Sequence, residues 1–354
     1  MTAGRPPEAT GRSRSVLLEA PHRMRLVTGE IPRPGHGEAL VRVSAAGICG
    51  SDRELYEGTR PEGFRTYPIV PGHEWSGIVS ATGPGVDPSL AGAPVVGEGY
   101  RNCQACDRCR EGDTNLCTTG YDETGFTRPG AFADHLVLPA RLLHPLPPGT
   151  DLRSAALLEP AAVAVAAVLR ASVQPGERVA VVGGGTLGLL AVQVLATYSP
   201  AELLVVEPRA GRAGLARESR ATGLSTPDEA AALAPSFDAV VETAGVQGSA
   251  RAAAQMLRRG GRLVLAGIPG GTPEGLPPSL IVERQLAIGS VFGMPSAAWV
   301  QAVRMFRAGL LRPGLLISHE LELEDFDKAL RLVAGTHDAD GAEVGKVLLC
   351  PRSV

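Results

Sequence analysis

No stretch of about 18 uninterrupted apolar residues occurs in the 354 residues, so no segment is expected to span a membrane as a helix. The polar start, Met1 to Ser15, lacks the apolar run of a secretory signal and is expected to be a loose tail. Lysine is almost missing, with only Lys328 and Lys346 present, and arginine takes its place without forming a basic block. With a formal net charge of -3, nucleic acid is not expected as the main partner. Internal repeats and low-complexity segments are absent as well. Cysteines are few: six in all, four of them crowded into one short segment. That usage fits a reducing interior and predicts a cytoplasmic protein.

The length favours two domains over one. Hydrophobic content of 44% with 20% charged residues is ordinary for a soluble globular chain. The four crowded cysteines, Cys103, Cys106, Cys109 and Cys117, follow the spacing Cys-x2-Cys-x2-Cys-x7-Cys. Two intervening residues let successive thiolates curl around one cation, and four soft sulfurs in a tetrahedron suit zinc with no open position. Disulfides between such close neighbours would be strained, and known iron–sulfur spacings differ from this one. The segment therefore predicts a closed structural zinc lobe, about 98–120.

Up to about Leu152 the chain is rich in Gly and Pro, with short β-branched runs such as Ala39 to Val43 and Gly77 to Val79. This texture predicts a compact β domain with long functional loops. From Ser154 to Arg170 an Ala/Val/Leu-rich helix is expected. Strand–helix units then follow at Arg178 to Val182, Leu203 to Glu207, Ala239 to Glu242, Arg262 to Ala266 and Leu286 to Ser290. Alternation of this kind predicts a parallel sheet covered on both faces, an α/β fold. A helix is expected at Ala297 to Ala308, and strands at His319 to Leu323 and Lys346 to Leu349, where the tail returns to the first domain.

Gly183-Gly184-Gly185-Thr186-Leu187-Gly188 fits Gly-x-Gly-x-x-Gly after a continuous apolar strand and at a helix start. Gly183 permits a tight turn, Gly185 lets a pyrophosphate approach, and Gly188 lets the helix lie close on the sheet. The free N–H groups and the helix dipole favour the anion there. Glu207 ends the second strand, where a carboxylate grips the adenosine ribose diol and repels a 2′-phosphate. This favours NAD over NADP, although Arg209 and Arg212 stand close enough in sequence to pair with a phosphate.

Three further segments carry zinc-ligand types: Gly47-Ile48-Cys49-Gly50-Ser51-Asp52, Pro71-Gly72-His73-Glu74-Trp75-Ser76-Gly77 and Leu157-Leu158-Glu159-Pro160. Nothing in their spacing brings them together. Taken alone, Cys49 reads as a small core residue, His73 as a satisfied core or surface group and Glu159 as a helix cap.

With its four-cysteine lobe, Cys-Gly-Ser-Asp and Gly-His-Glu motifs, Glu-Pro dipeptide and later glycine turn, the chain resembles the zinc-dependent medium-chain dehydrogenase/reductase family over nearly its whole length. The resemblance implies a GroES-like catalytic domain (1–153, completed by 293–354) interrupted by a doubly wound Rossmann NAD-binding domain (154–292). It implies that Cys49, His73 and Glu159 converge on a catalytic zinc, with Glu74 as a fourth or alternating ligand, so that each chain holds two zinc ions. Ser51 would take the alcohol proton, and Asp52 would steady a ligand such as His73. Relatives often have His at the position of Glu54, which leaves that step of the proton path open. The cofactor residues would be Gly183, Gly185, Thr186, Leu187, Gly188, Glu207, Arg212, Ala244, Ile268 and Lys346, the last of these facing the pyrophosphate.

Glu159 in place of a second cysteine draws the chain towards the sorbitol, threonine and polyol dehydrogenases. The Val70 to Gly77 run and Gly125-Phe126-Thr127-Arg128 resemble aminocyclitol dehydrogenases of antibiotic pathways. The expected activity is hydride transfer between NAD(H) and a polar secondary alcohol or ketone, with a homodimer or homotetramer as the assembly. A catabolic threonine- or sorbitol-type enzyme is the same-class alternative. A non-enzymatic NAD- and zinc-binding structural protein is the alternative from another class.

Overall fold

The computed structural model describes residues 11–233, 235–269, 275–335, 338–339, 341 and 343–351. Two compact units emerge, one from residues 1–159 and 317–354 and the other from residues 160–316. The second boundary falls at 317 instead of the expected 293. The reason is local: the Arg312 N–H donates to Gln193 Oε1 at 2.7 Å and its guanidinium to the Glu218 carbonyl at 2.7 Å. These bonds hold the helix Ser296–Arg307 and the turn after it within the second unit.

The first unit is built on a seven-stranded, largely antiparallel sheet. Its spine runs from Ile317–Leu321 through Lys346–Leu349, Glu38–Ile48, Glu74–Thr82 and Pro94–Gly97 to Leu143–Pro145, with His135–Pro139 also paired to Glu38–Ile48. The tail does return to this sheet, because Lys346–Leu349 lies antiparallel to Glu38–Ile48. Alternating residues of these strands bury Val41, Val43, Trp75, Leu136, Leu138 and Val347 in one core. A separate hairpin, Arg12–Ala20 with Arg23–Glu30, lies outside that sheet.

The second unit contains a six-stranded sheet whose paired strands are all parallel. Its spatial order is Gly223–Ser225, Glu202–Val206, Arg178–Val182, Phe237–Glu242, Leu257–Leu265, Ala287–Ser290. Numbered along the unit this is 3-2-1-4-5-6, the doubly wound dinucleotide-binding order. The short strand Gly223–Ser225 was not foreseen, since three residues carry no readable periodicity. The order reverses between Arg178–Val182 and Phe237–Glu242, so the segments that begin at Gly183 and Thr243 flank the switch point. Thr243 ties them together, its hydroxyl donating to the Val182 carbonyl at 2.9 Å.

The expected single helix over 154–170 is broken into Leu152–Ala156 and Leu158–Ala171. Pro160 has no N–H to give to the Ala156 carbonyl, so the backbone cannot run through as one helix. The restart places Glu159 in the first turn of the longer helix, 8% exposed.

Candidate active site

Each ligand candidate in the first unit stands at the edge of an element. Cys49 ends the strand Glu38–Ile48 and caps the helix Gly50–Glu57, its N–H donating to Asp52 Oδ2 at 2.9 Å. His73 immediately precedes the strand Glu74–Thr82. Gly47 and Glu74 are register partners, and a Cβ at Gly47 would stand 2.2 Å from Glu74 Oε2, so only glycine lets that carboxylate lie across the strand.

One ligand atom each from Cys49, His73 and Glu74 lie within 4.8 Å of one another. Glu159 does not join that tight set, but its charge and those of Glu74, Glu123 and Cys49 act on one another. Burial, together with these neighbouring negative charges, holds the Glu159 carboxyl well above the usual carboxylate range despite the opposing pull of His73. Burial raises the Cys49 thiol, yet the His73 hydrogen bond and the Lys346 charge bring it below its ordinary value. Burial works against protonated His73 too, but Asp52 more than offsets it and the imidazole is pushed up.

This donor set fits a divalent zinc ion. Sulfur, imidazole and carboxylate are its usual ligands, and a crowd of buried acids is relieved by a cation. Two orphaned atoms support the fit. His73 Nδ1 and Asp52 Oδ1 are buried without hydrogen bonds, 3.4 Å apart. A metal on Nε2 would fix the proton on Nδ1, facing Asp52. Ser51 Oγ lies 3.5 Å from Nε2.

The four-cysteine lobe assembles as well. Cys103 Sγ and Cys109 Sγ are 4.0 Å apart, as are Cys106 Sγ and Cys117 Sγ. Zn–S bonds of about 2.3 Å in a tetrahedron give sulfur–sulfur edges of about 3.8 Å. Backbone N–H groups of Ala105 and Cys106 donate to Cys103 Sγ at 3.4 and 3.3 Å, as suits thiolates. Bonds from Thr118 and Cys109 push Cys106 down to about 5, whereas burial pushes Cys109 up to about 12.

In the second unit a cavity of about 800 Å³ is lined by Gly183, Gly185, Glu207, Arg209 and Ala244, among others. A Cβ at Gly188 would come within 1.8 Å of the Gly183 carbonyl, which explains the tight seat of the helix Thr186–Ala196. Gly185 caps that helix with open space around the position of its absent Cβ. This is a cradle for a phosphate. Glu207 Oε2 accepts the Gly184 N–H at 2.7 Å, and Arg209 grips the carboxylate through Nε at 2.6 Å and Nη2 at 3.0 Å. Burial raises the Glu207 carboxyl, but these bonds outweigh it and hold it below its usual range.

Residues 35–148 match the alcohol dehydrogenase GroES-like domain and residues 186–308 match the zinc-binding dehydrogenase domain. D-xylulose reductase A of Aspergillus oryzae is 31% identical over 352 residues, covering 93% of this chain and 96% of that protein. The chain belongs to the zinc-dependent medium-chain dehydrogenase family. Like its relatives it is an oxidoreductase. Its fold is similar to that of a cobalt- and zinc-bound thermostable alcohol dehydrogenase from Pyrobaculum aerophilum, at 32% identity, with a TM-score of 0.87 and 96% and 100% of the two chains covered. A zinc-binding dehydrogenase of Sinorhizobium meliloti bound to NADP is similar at 29% identity, with a TM-score of 0.88 and coverage of 96% and 100%.

Against the sequence expectations for this medium-chain dehydrogenase, two cofactor residues are corrected. Lys346 is not free to face a phosphate: it is 5% exposed, and its Nζ donates to Glu74 Oε1 and Oε2 at 2.7 Å each and to the Ile48 carbonyl at 3.1 Å. All three of its N–H groups are taken. Arg212 is buried and does not line the cavity, where Arg209 stands instead. Thr186, Leu187, Gly188 and Ile268 also lie off the cavity lining, Ile268 being 63% exposed. Sequence reasoning missed Arg60, Tyr121 and Glu123. Glu123 is buried, accepts the Tyr121 hydroxyl, and exchanges charge effects with His73 and Asp52. It lies in a loop with no periodic pattern to point to it. Among the described residues no helix is long and apolar enough to cross a membrane.

Proposed function

We propose that this oxidoreductase transfers hydride between NAD and a polar secondary alcohol or ketone, of the polyol, cyclitol or amino-alcohol class, with two zinc ions per chain. The observation that carries the reading is the meeting of Cys49, His73 and Glu74 ligand atoms within 4.8 Å. When bound, zinc supplies a Lewis acid that lowers the pKa of the substrate hydroxyl, and the nicotinamide supplies the hydride acceptor.

The chain's own residues do the rest. Cys49 and His73 would hold the metal with a carboxylate from Glu159 or Glu74, and Asp52 would keep His73 in one tautomer and orientation. Ser51 Oγ would accept the substrate proton while passing its own hydroxyl proton onward to water, as the first member of a relay. The helix N-terminus at Gly185 binds the pyrophosphate, and Glu207 accepts the ribose hydroxyls. The closed Glu207–Arg209 pair supports NAD, because Arg209 would have to abandon a buried carboxylate to meet a 2′-phosphate. The similarity to a xylulose reductase supports a hydroxyl-rich substrate.

Metal analysis combined with a panel of polyols, cyclitols and amino alcohols, each assayed with NAD and NADP, tests this reading. Two zinc ions per chain and NAD-dependent oxidation of a panel member are expected. One zinc per chain with no turnover would return the chain to a scaffold role.

A further inference from the structure

Phe126 is 2% exposed and touches two groups at once. Its ring centroid is 4.7 Å from that of His73, and the Arg60 guanidinium carbon lies over its face at 3.7 Å. A cation 7% exposed, as Arg60 is, has been withdrawn from water and needs fixed partners. It has them: Nε donates to the Phe64 carbonyl at 2.9 Å and Nη2 to the Tyr121 hydroxyl at 2.7 Å. Tyr121 in turn donates to Glu123. Arg60 is therefore held on three sides, by a carbonyl, a phenol and an aromatic face, and Glu54 lies 3.9 Å from its Nη1.

The geometry points to Arg60 as a positioning residue for the metal site: anchored by Phe64 and Tyr121, it locks Phe126 against His73 and so fixes the plane of the ligand ring. A planar guanidinium stacks on the aromatic face and keeps its in-plane hydrogen bonds, which a lysine ammonium cannot do. Asp52 Oδ1 stands 3.4 Å from His73 Nδ1 without a well-formed hydrogen bond, and packing against Phe126 adds a second restraint on the ring's rotation. Partners that orient a metal-bound imidazole typically carry about 10–100-fold in metal affinity.

This inference rests on the reading of Cys49, His73 and Glu159 as zinc ligands. It is tested by timing the loss of zinc to a chelator and recording the visible spectrum of the cobalt-substituted protein, for Arg60→Met, Phe126→Leu, the double variant and Tyr121→Phe. The expected result is at least about tenfold faster loss of one zinc in Arg60→Met, with a shifted cobalt spectrum and an unchanged second zinc. Phe126→Leu should do the same, and the double variant should be no worse than Phe126→Leu alone, because Arg60 acts through that ring. Tyr121→Phe should give a smaller change of the same kind. Wild-type zinc release in Arg60→Met, or losses that multiply in the double variant, would overturn the proposal. If Arg60→Met does not fold, unchanged release and spectrum in Tyr121→Phe overturn it instead. A wild-type protein with zinc in the cysteine lobe alone removes the underlying site reading, a failure distinct from the others.

Discussion

Lys346 sets its ammonium 2.7 Å from both carboxylate oxygens of Glu74, in a pair whose side chains are 5% and 1% exposed. Burial lowers the lysine, but Glu74 raises it further, so it stays charged. Removing one member of such a pair strands the other charge. Lys346→Met is expected to cost about 3–5 kcal/mol in unfolding free energy. Adding Glu74→Gln to that variant should recover part of the loss, giving a double-mutant cycle far from additivity. Urea unfolding measures both. If Lys346→Met melts like the wild type, the pair is not what holds this corner of the sheet.

The Glu207–Arg209 pair makes a prediction about cofactor choice. Glu207→Ser removes the carboxylate that Arg209 grips in the lining of the cavity. A hydrogen bond to a charged group contributes about 1.5–3 kcal/mol. The kcat/KM ratio for NADP over NAD should therefore rise by about 10–100-fold. An unchanged ratio would assign cofactor choice to other residues.

Much of this was legible in the sequence because it rests on local order. The glycine turn announces itself by three fixed spacings after an apolar strand, and the cysteine lobe by four thiols in one short run. The proposed metal ligands differ: Cys49, His73 and Glu159 share no period, and in the sequence only the likeness to a family joins them. Contacts made across the fold were not legible at all. Lys346 and Glu74 are neighbours because the tail strand pairs with Glu38–Ile48, which no local pattern encodes. Arg212 was favoured over Arg209 by sequence alone, and the turn after Glu207 sends the former inward.

The cysteine lobe should depend on its metal for local order. Its only α-helix, Asp107–Glu111, has five residues, too few to persist unaided. Cys106→Ser is expected to remove one zinc per chain and to open the 103–117 segment to proteolysis first. Zinc content and the mass of the earliest cleavage fragments test this. Full zinc content with unaltered cleavage would show that the three remaining sulfurs suffice.

Glu159 yields a prediction that changes sign with the metal. Its carboxyl is held well above the ordinary value, chiefly by burial and then by the charges of Glu74, Glu123 and Cys49. A carboxyl raised on folding binds its proton more tightly in the native state. Without metal, its ionised form therefore weakens the fold as pH rises above the normal carboxylate range. In protein stripped of zinc, Glu159→Gln should melt above the wild type at pH 7, and the gap should close towards pH 4. With zinc restored the order should invert, because the amide is a poor ligand. Catalytic zinc should then bind at least about 10-fold more weakly, and turnover should fall with it. Thermal melts of both proteins, stripped and reloaded, across that pH range decide the matter. If Glu159→Gln melts lower in both states, the carboxylate is a structural partner and not a waiting ligand.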